Sequence, residues 1–188
     1  MNYSHQFDHL MDFQDFLDLN LRFHSNREHR FFLGIIDELI NTSNSLRPDE
    51  LCDLHLKKGI IFLKLKKYIE SINEFNIAVS INPNNHYQFL CRGCSKVYLG
   101  KLIDAYQDYI HGIFLNSLDP KSFLLKGKLE LKMGEHYEAI NTFKNIKNKF
   151  FYNDFAVSQA TNYQMRVEEI ISEKKSFLDT LREDFKFV

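Results

Sequence analysis

A chain of 188 residues is long enough to bury one core or a continuous stack of helices. Its 44% hydrophobic and 26% charged residues are those of a folded domain, and a net charge of −1 excludes nucleic-acid binding through overall charge. Three Cys are too few for a disulfide framework, and only three Pro and seven Gly leave room for long helices, so a reducing, cytoplasmic setting is expected.

The N-terminus, Met1 to Leu10, has no basic stretch leading into an apolar one, so no signal peptide is expected. No apolar run approaches the ~20 residues of a membrane span, and no membrane partner is expected. Two helices are predicted next. One lies near Phe7–Phe23 with Leu10, Phe13, Leu17 and Leu21 on a face, the other near Glu28–Ile40 with Phe31, Phe32, Ile35 and Leu39. Asn41–Ser45 is a polar turn, and Pro48-Asp49-Glu50 opens the following helix. Residues 1–47 therefore read as a helical hairpin, with a decayed repeat as the alternative.

A period of 34 residues begins after this point. It relates Gly59, Gly93 and Gly127, and likewise Leu56, Leu90 and Leu124. Leu63, Val97 and Leu131 follow it, as do Leu65, Leu99 and Met133. Small residues Ser71, Ala105 and Ala139 and aromatics Phe75, Tyr109 and Phe143 complete six columns in phase. Within each unit the apolar spacings of three and four require a helix, and the glycine removes a side chain where two helices approach closely. Lys66-Lys67, Gly100-Lys101 and Gly134-Glu135 mark a central turn, after which the small residue and the aromatic stand at i and i+4 of a second helix. Asn82-Pro83-Asn84-Asn85 and Asp119-Pro120 end one unit and start the next. The chain thus divides into units at 52–85, 86–119 and about 120–153, within a repeat domain spanning 48–152.

Residues 153–188 continue as one or two capping helices. Ala156, Ala160, Tyr163, Val167 and Ile170 form an apolar seam that resumes in Phe177, Leu181 and Phe185 beyond a polar break at Ser172–Ser176. The seam serves either as a cap on the last repeat or as a dimer contact, so the chain is expected to be a monomer or a homodimer.

Reactive chemistry is sparse. Cys91-Arg92-Gly93-Cys94 is a CxxC, but Cys52 is the one other cysteine and no second ligand pair stands near, so zinc is not expected. Both thiols fall in mid-helix, away from the helix N-terminus that would activate them. His5 and His9 share a helix face without an evident third ligand. No phosphate loop, GxSxG or HExxH occurs, and no catalytic, cofactor-binding or metal residues are assigned.

The unit with Gly59, Phe62, Tyr68, Ile72, Phe75, Ala78 and Pro83 resembles a tetratricopeptide repeat; the second and third units resemble it less closely. The second has Lys96 for an aromatic and Gly112 for Ala, and the third loses the pattern after Ile146. The resemblance covers roughly 100 residues. It implies an all-α fold, a right-handed α–α superhelix of antiparallel hairpins with capping helices at both ends. It also implies a non-enzymatic module, an adaptor, assembly factor or partner-specific chaperone, that takes a protein or peptide along the leading helix of each unit. By register the implied groove stripe is Asp53, Lys57, Ile60 and Lys64, then Tyr87, Cys91, Cys94 and Tyr98, then Lys121, Leu125, Lys128 and Lys132. Five of these twelve are Lys, against about 1.5 expected from the chain's 24 Lys and Arg, which suits a ligand with acidic groups or a terminal carboxylate. The family's clamp for acidic chaperone tails maps to Leu56, Ile60, Cys91, Lys121 and Leu125, and one of the five fits. The alternatives are an oligomeric helical-repeat protein dimerising through its C-terminal helix and an RNA-binding helical repeat, whose usual period of 35 and basic charge disagree with this chain.

Overall fold

The computed structural model describes residues 25–42 and 46–184. The helix expected near Phe7–Phe23, the His5/His9 pair and Phe185 lie outside them. Among the described residues there are eight helices and no strand: α1 (Asn26–Thr42), α2 (Pro48–Lys64), α3 (Tyr68–Ile81), α4 (His86–Tyr98), α5 (Leu102–Leu115), α6 (Pro120–Met133), α7 (His136–Lys149) and α8 (Asp154–Asp184). They group into two compact units, one ending at Leu115 and one beginning at Asn116.

The helix ends follow local chemistry. Pro48 opens α2, where Glu50 reaches back to accept from the Arg47 backbone N–H at 3.0 Å. The Asn85 side chain caps α4 by accepting from the Tyr87 N–H, and the Asp119 side chain caps α6 by accepting from Lys121 and Ser122. Gly100 and Gly134 turn the chain between helices at φ 75° and 84°, and Lys66 holds the equivalent place at φ 61°.

In the first unit α2 pairs with α3 and α4 with α5 as antiparallel hairpins, and α3 packs on α4. The repeating glycine has a specific neighbour. A Cβ at Gly59 would lie 2.6 Å from the Phe75 ring, and one at Gly93 would lie 2.5 Å from the Tyr109 ring. The aromatic sixteen residues on fills the space the glycine leaves, and both rings are buried. Polar atoms stitch the hairpins together: the Ser71 hydroxyl donates to the Gly59 carbonyl at 2.8 Å and stands 2.9 Å from the Ser95 hydroxyl. Gln88 Nε2 approaches Cys52 Sγ at 2.8 Å.

The second unit repeats this arrangement with Gly127 against Phe143, at 2.6 Å. α8 then packs on α7 and α6, burying Ala156, Ala160 and Val167, with Tyr163 stacked on Phe143 at 5.5 Å. The polar stretch Ser172–Ser176 interrupts nothing. α8 is one helix of 31 residues, where the hairpin helices α6 and α7 have 14 each. At 1.5 Å per residue it is about twice their length.

Candidate protein-binding face

The leading helices α2, α4 and α6 carry the expected groove residues, and burial divides them. The sequence places Ile60, Cys91, Cys94 and Leu125 on an exposed stripe; the structure buries all four, at 0%, 0%, 2% and 6% exposure. The reason is local. Each lies within its helix, and the two cysteines are covered by tyrosines. Cys94 Sγ packs 3.2 Å from the Tyr109 hydroxyl, and the Cys91 thiol is hydrogen-bonded by Tyr87. Burial pushes the Cys91 thiol well above its ordinary pKa, the opposite of what a reactive thiol needs. The CxxC is packing material.

The other stripe positions stay at least partly open to solvent, the mid-stripe lysines Lys57 and Lys128 among them. Lys57, Lys64, Tyr87, Tyr98, Lys121 and Lys128 are half-buried and Lys132 is exposed. Lys57 is held by Asp53, one turn earlier on α2. Partial burial strips water from the Lys64 ammonium and so lowers its pKa. Tyr98 stacks face to face on Tyr68 at 4.8 Å with rings 3° from parallel, and burial raises its hydroxyl pKa. No sequence pattern pairs these two tyrosines, which stand on different hairpins. In the second unit the Lys128 ammonium sits 4.7 Å over the Tyr163 ring, so α8 borders the open face of α6.

Two further polar columns recur with the 34-residue period and escape a search for apolar columns. Lys58, Arg92 and Lys126 form one column, and Glu74, Asp108 and Thr142 form another. Each basic residue meets its partner on the second helix of its own hairpin. Lys58 reaches Glu74 at 3.0 Å, Arg92 reaches Asp108 at 2.7 Å, and Lys126 reaches Thr142 at 2.9 Å. In the third hairpin the carboxylate moves to Glu130, which accepts from the Thr142 hydroxyl at 2.6 Å. These groups hold the hairpins shut and do not line the face. Among the described residues no group of three or more His, Cys, Asp or Glu is placed to hold a metal ion, and no helix is long and apolar enough to cross a membrane.

No protein-family model matches the chain. It is 32% identical over 94 residues to the U-box domain-containing protein 70 of Oryza sativa subsp. japonica, an alignment covering 50% of this chain and 12% of that protein. The solved Arabidopsis OM64 TPR domain superposes with a TM-score of 0.59 at 19% identity, over 65% of this chain and 98% of that one. The second TPR domain of human RPAP3, solved with the HSP70 peptide SGPTIEEVD, gives a TM-score of 0.57 at 20% identity, over 65% and 98%. With its in-phase repeat and its stacked antiparallel hairpins, the chain has the tetratricopeptide-repeat fold.

Proposed function

We propose that this chain is a non-catalytic protein-interaction module that holds a protein or peptide segment against its leading helices. The observation that carries the reading is the pattern on α2 and α4. Lys57 and Lys64 on one helix and Tyr87 and Tyr98 on the other remain partly open, while Ile60, Cys91 and Cys94 on the same helices are closed. Amphipathic tyrosines next to ammonium groups suit a ligand with carboxylates and apolar side chains. Lys121, Lys128 and Lys132 on α6 offer the same chemistry in the second unit.

The likeness to peptide-bound TPR domains does not extend to the ligand. Four of the five positions that match an acidic-tail clamp hold Leu56, Ile60, Cys91 and Leu125, which are apolar or thiol side chains and are buried. They offer no charged donor to a terminal carboxylate. The ligand is therefore a segment other than an EEVD tail, recognised by the open positions of the stripe.

Two measurements test this. Titration with SGPTIEEVD should give no saturable binding, and tight binding of that peptide would overturn the exclusion of the clamp. Proteins recovered with the wild-type chain from its native cell should be lost with Lys57→Glu/Lys64→Glu and with Tyr98→Ala. A partner retained by both variants with unchanged salt dependence places recognition elsewhere.

A further inference from the structure

The second unit has one end unlike the rest of its surface. The antiparallel path brings the approach to α6, the last turn of α7 and the start of α8 to that end. Leu118, Phe151, Tyr152 and Phe155 stand there 71%, 75%, 66% and 45% exposed. The exposed rings rest on a fixed base, because Phe150 is buried and meets Phe123 at 5.5 Å and Tyr152 at 6.5 Å. Four large apolar side chains from three chain segments make a patch that needs an apolar environment to cover it.

Cations surround it. Lys147 and Lys149 lie in the last turn of α7 and Lys121 in the first turn of α6, with the Lys149 ammonium 4.9 Å over the Phe123 ring. From Pro120 to Lys149 the hairpin holds seven Lys against three Glu. Two acids occur at this end, Asp119 and Asp154, and Asp119 caps α6 through its bonds to Lys121 and Ser122.

We propose that this end of the α6–α8 unit docks on an anionic lipid surface, the apolar cluster entering the headgroup boundary and the flanking lysines meeting lipid anions. A peripheral contact needs no spanning helix. A second copy is disfavoured because symmetric pairing would set lysine against lysine. Single-stranded RNA is disfavoured by ring geometry. Phe151 and Tyr152 meet at 82° and Phe150 and Tyr152 at 69°, so the cluster has no parallel ladder on which bases could stack.

The test is co-sedimentation of the full chain with phosphatidylcholine vesicles, with and without about 30% phosphatidylserine, at low and high salt. Wild-type chain should pellet with the anionic vesicles alone and be released by salt. The partition coefficient should fall at least about tenfold in Lys147→Glu/Lys149→Glu and in Phe151→Ser/Phe155→Ser. The chain contains no Trp, so Phe151→Trp gives a clean probe that leaves the patch apolar. Its emission should shift to the blue with anionic vesicles. Wild-type chain left in the supernatant, variants that pellet equally, or an unshifted indole would each overturn the proposal. Binding to polyglutamate without binding to vesicles would overturn it as well and give the patch to an acidic protein.

Discussion

Arg92 grips Asp108 with both arms of its guanidinium, Nε to Oδ2 at 3.1 Å and Nη2 to Oδ1 at 2.7 Å. Lys96 adds a third contact to the same carboxylate at 2.8 Å, and Arg92 also donates to Asn76 on the preceding hairpin at 2.9 Å. One nearly buried acid thus closes the α4–α5 hairpin and, through Arg92, ties it to α3. Asp108→Asn keeps the shape and removes the charge, leaving two partly covered cations without it. The expected cost is about 2–3 kcal/mol, below the full cost of breaking a buried pair because both cations still touch water. Urea unfolding of the variant measures it, and a midpoint within error of wild type would show the pair contributes no net stability.

Glycines in this chain should answer the same substitution with opposite signs. At Gly93 a methyl group would fall 2.5 Å from the Tyr109 ring and 3.3 Å from the Ala105 carbonyl, and that ring is too tightly buried to retreat. At Gly34, inside α1, a methyl group meets nothing within 4 Å. Gly93→Ala should destabilise by about 1–3 kcal/mol through overpacking. Gly34→Ala should stabilise by about 0.5–1 kcal/mol by removing backbone entropy from the unfolded chain. Paired thermal melts decide both signs.

Much of the fold is written in the 34-residue columns, and the places where they fail are informative. α1 packs on α2 as α3 packs on α4, but shifted. Asp37 meets Lys58 at 2.7 Å just as Asn76 meets Arg92, and His29 lies beside Lys64 where Tyr68 lies on Tyr98. Both pairs place α1 39 residues ahead of α3, so a rigid 34-residue register cannot find it. α8 is shifted too: buried Ala160 and Val167 continue the column pair of Leu124 and Leu131 with two extra residues in the connection. Insertions in connections cost little, and they erase phase. The proposed binding face is legible only in outline. A register names which side of a helix faces outward, but burial at Ile60, Cys91, Cys94 and Leu125 depends on what neighbouring side chains cover. The Lys58, Arg92 and Lys126 column was present in the sequence, but basic residues on a helix read as a solvated face until their partners are seen.

Lys66 is the one described non-glycine residue with positive φ, at 61°, in the column that Gly100 and Gly134 fill elsewhere. A left-handed conformation crowds Cβ against the backbone by roughly 1–2 kcal/mol, part of which glycine returns as entropy lost on folding. Lys66→Gly should therefore raise stability by about 0.5–1 kcal/mol. Urea unfolding of this variant should show a higher midpoint at unchanged slope. A lower midpoint would mean that contacts of the lysine side chain outweigh the strain.

His29 makes the docking of α1 sensitive to acid. It is buried against α2, with Nδ1 2.8 Å from the Ser25 carbonyl oxygen. Burial first, and then the Lys64 charge, lower its pKa below the ordinary 6.5; the Ser25 bond and Glu28 pull the other way and are outweighed. The folded chain therefore favours the neutral ring, and the unfolded segment takes up a proton more readily. The stability this contributes is fully present above the unfolded value of about 6.5 and is lost as pH falls through the lower folded value. Amide exchange over Asn26–Thr42, corrected for its intrinsic pH dependence, should show α1 less protected at about pH 5.5 than at about pH 7.5. His29→Asn keeps a donor near the Ser25 carbonyl and cannot titrate in this range, so its protection should change far less. Equal loss of protection in wild type and variant would assign the acid response to another group and defeat the prediction.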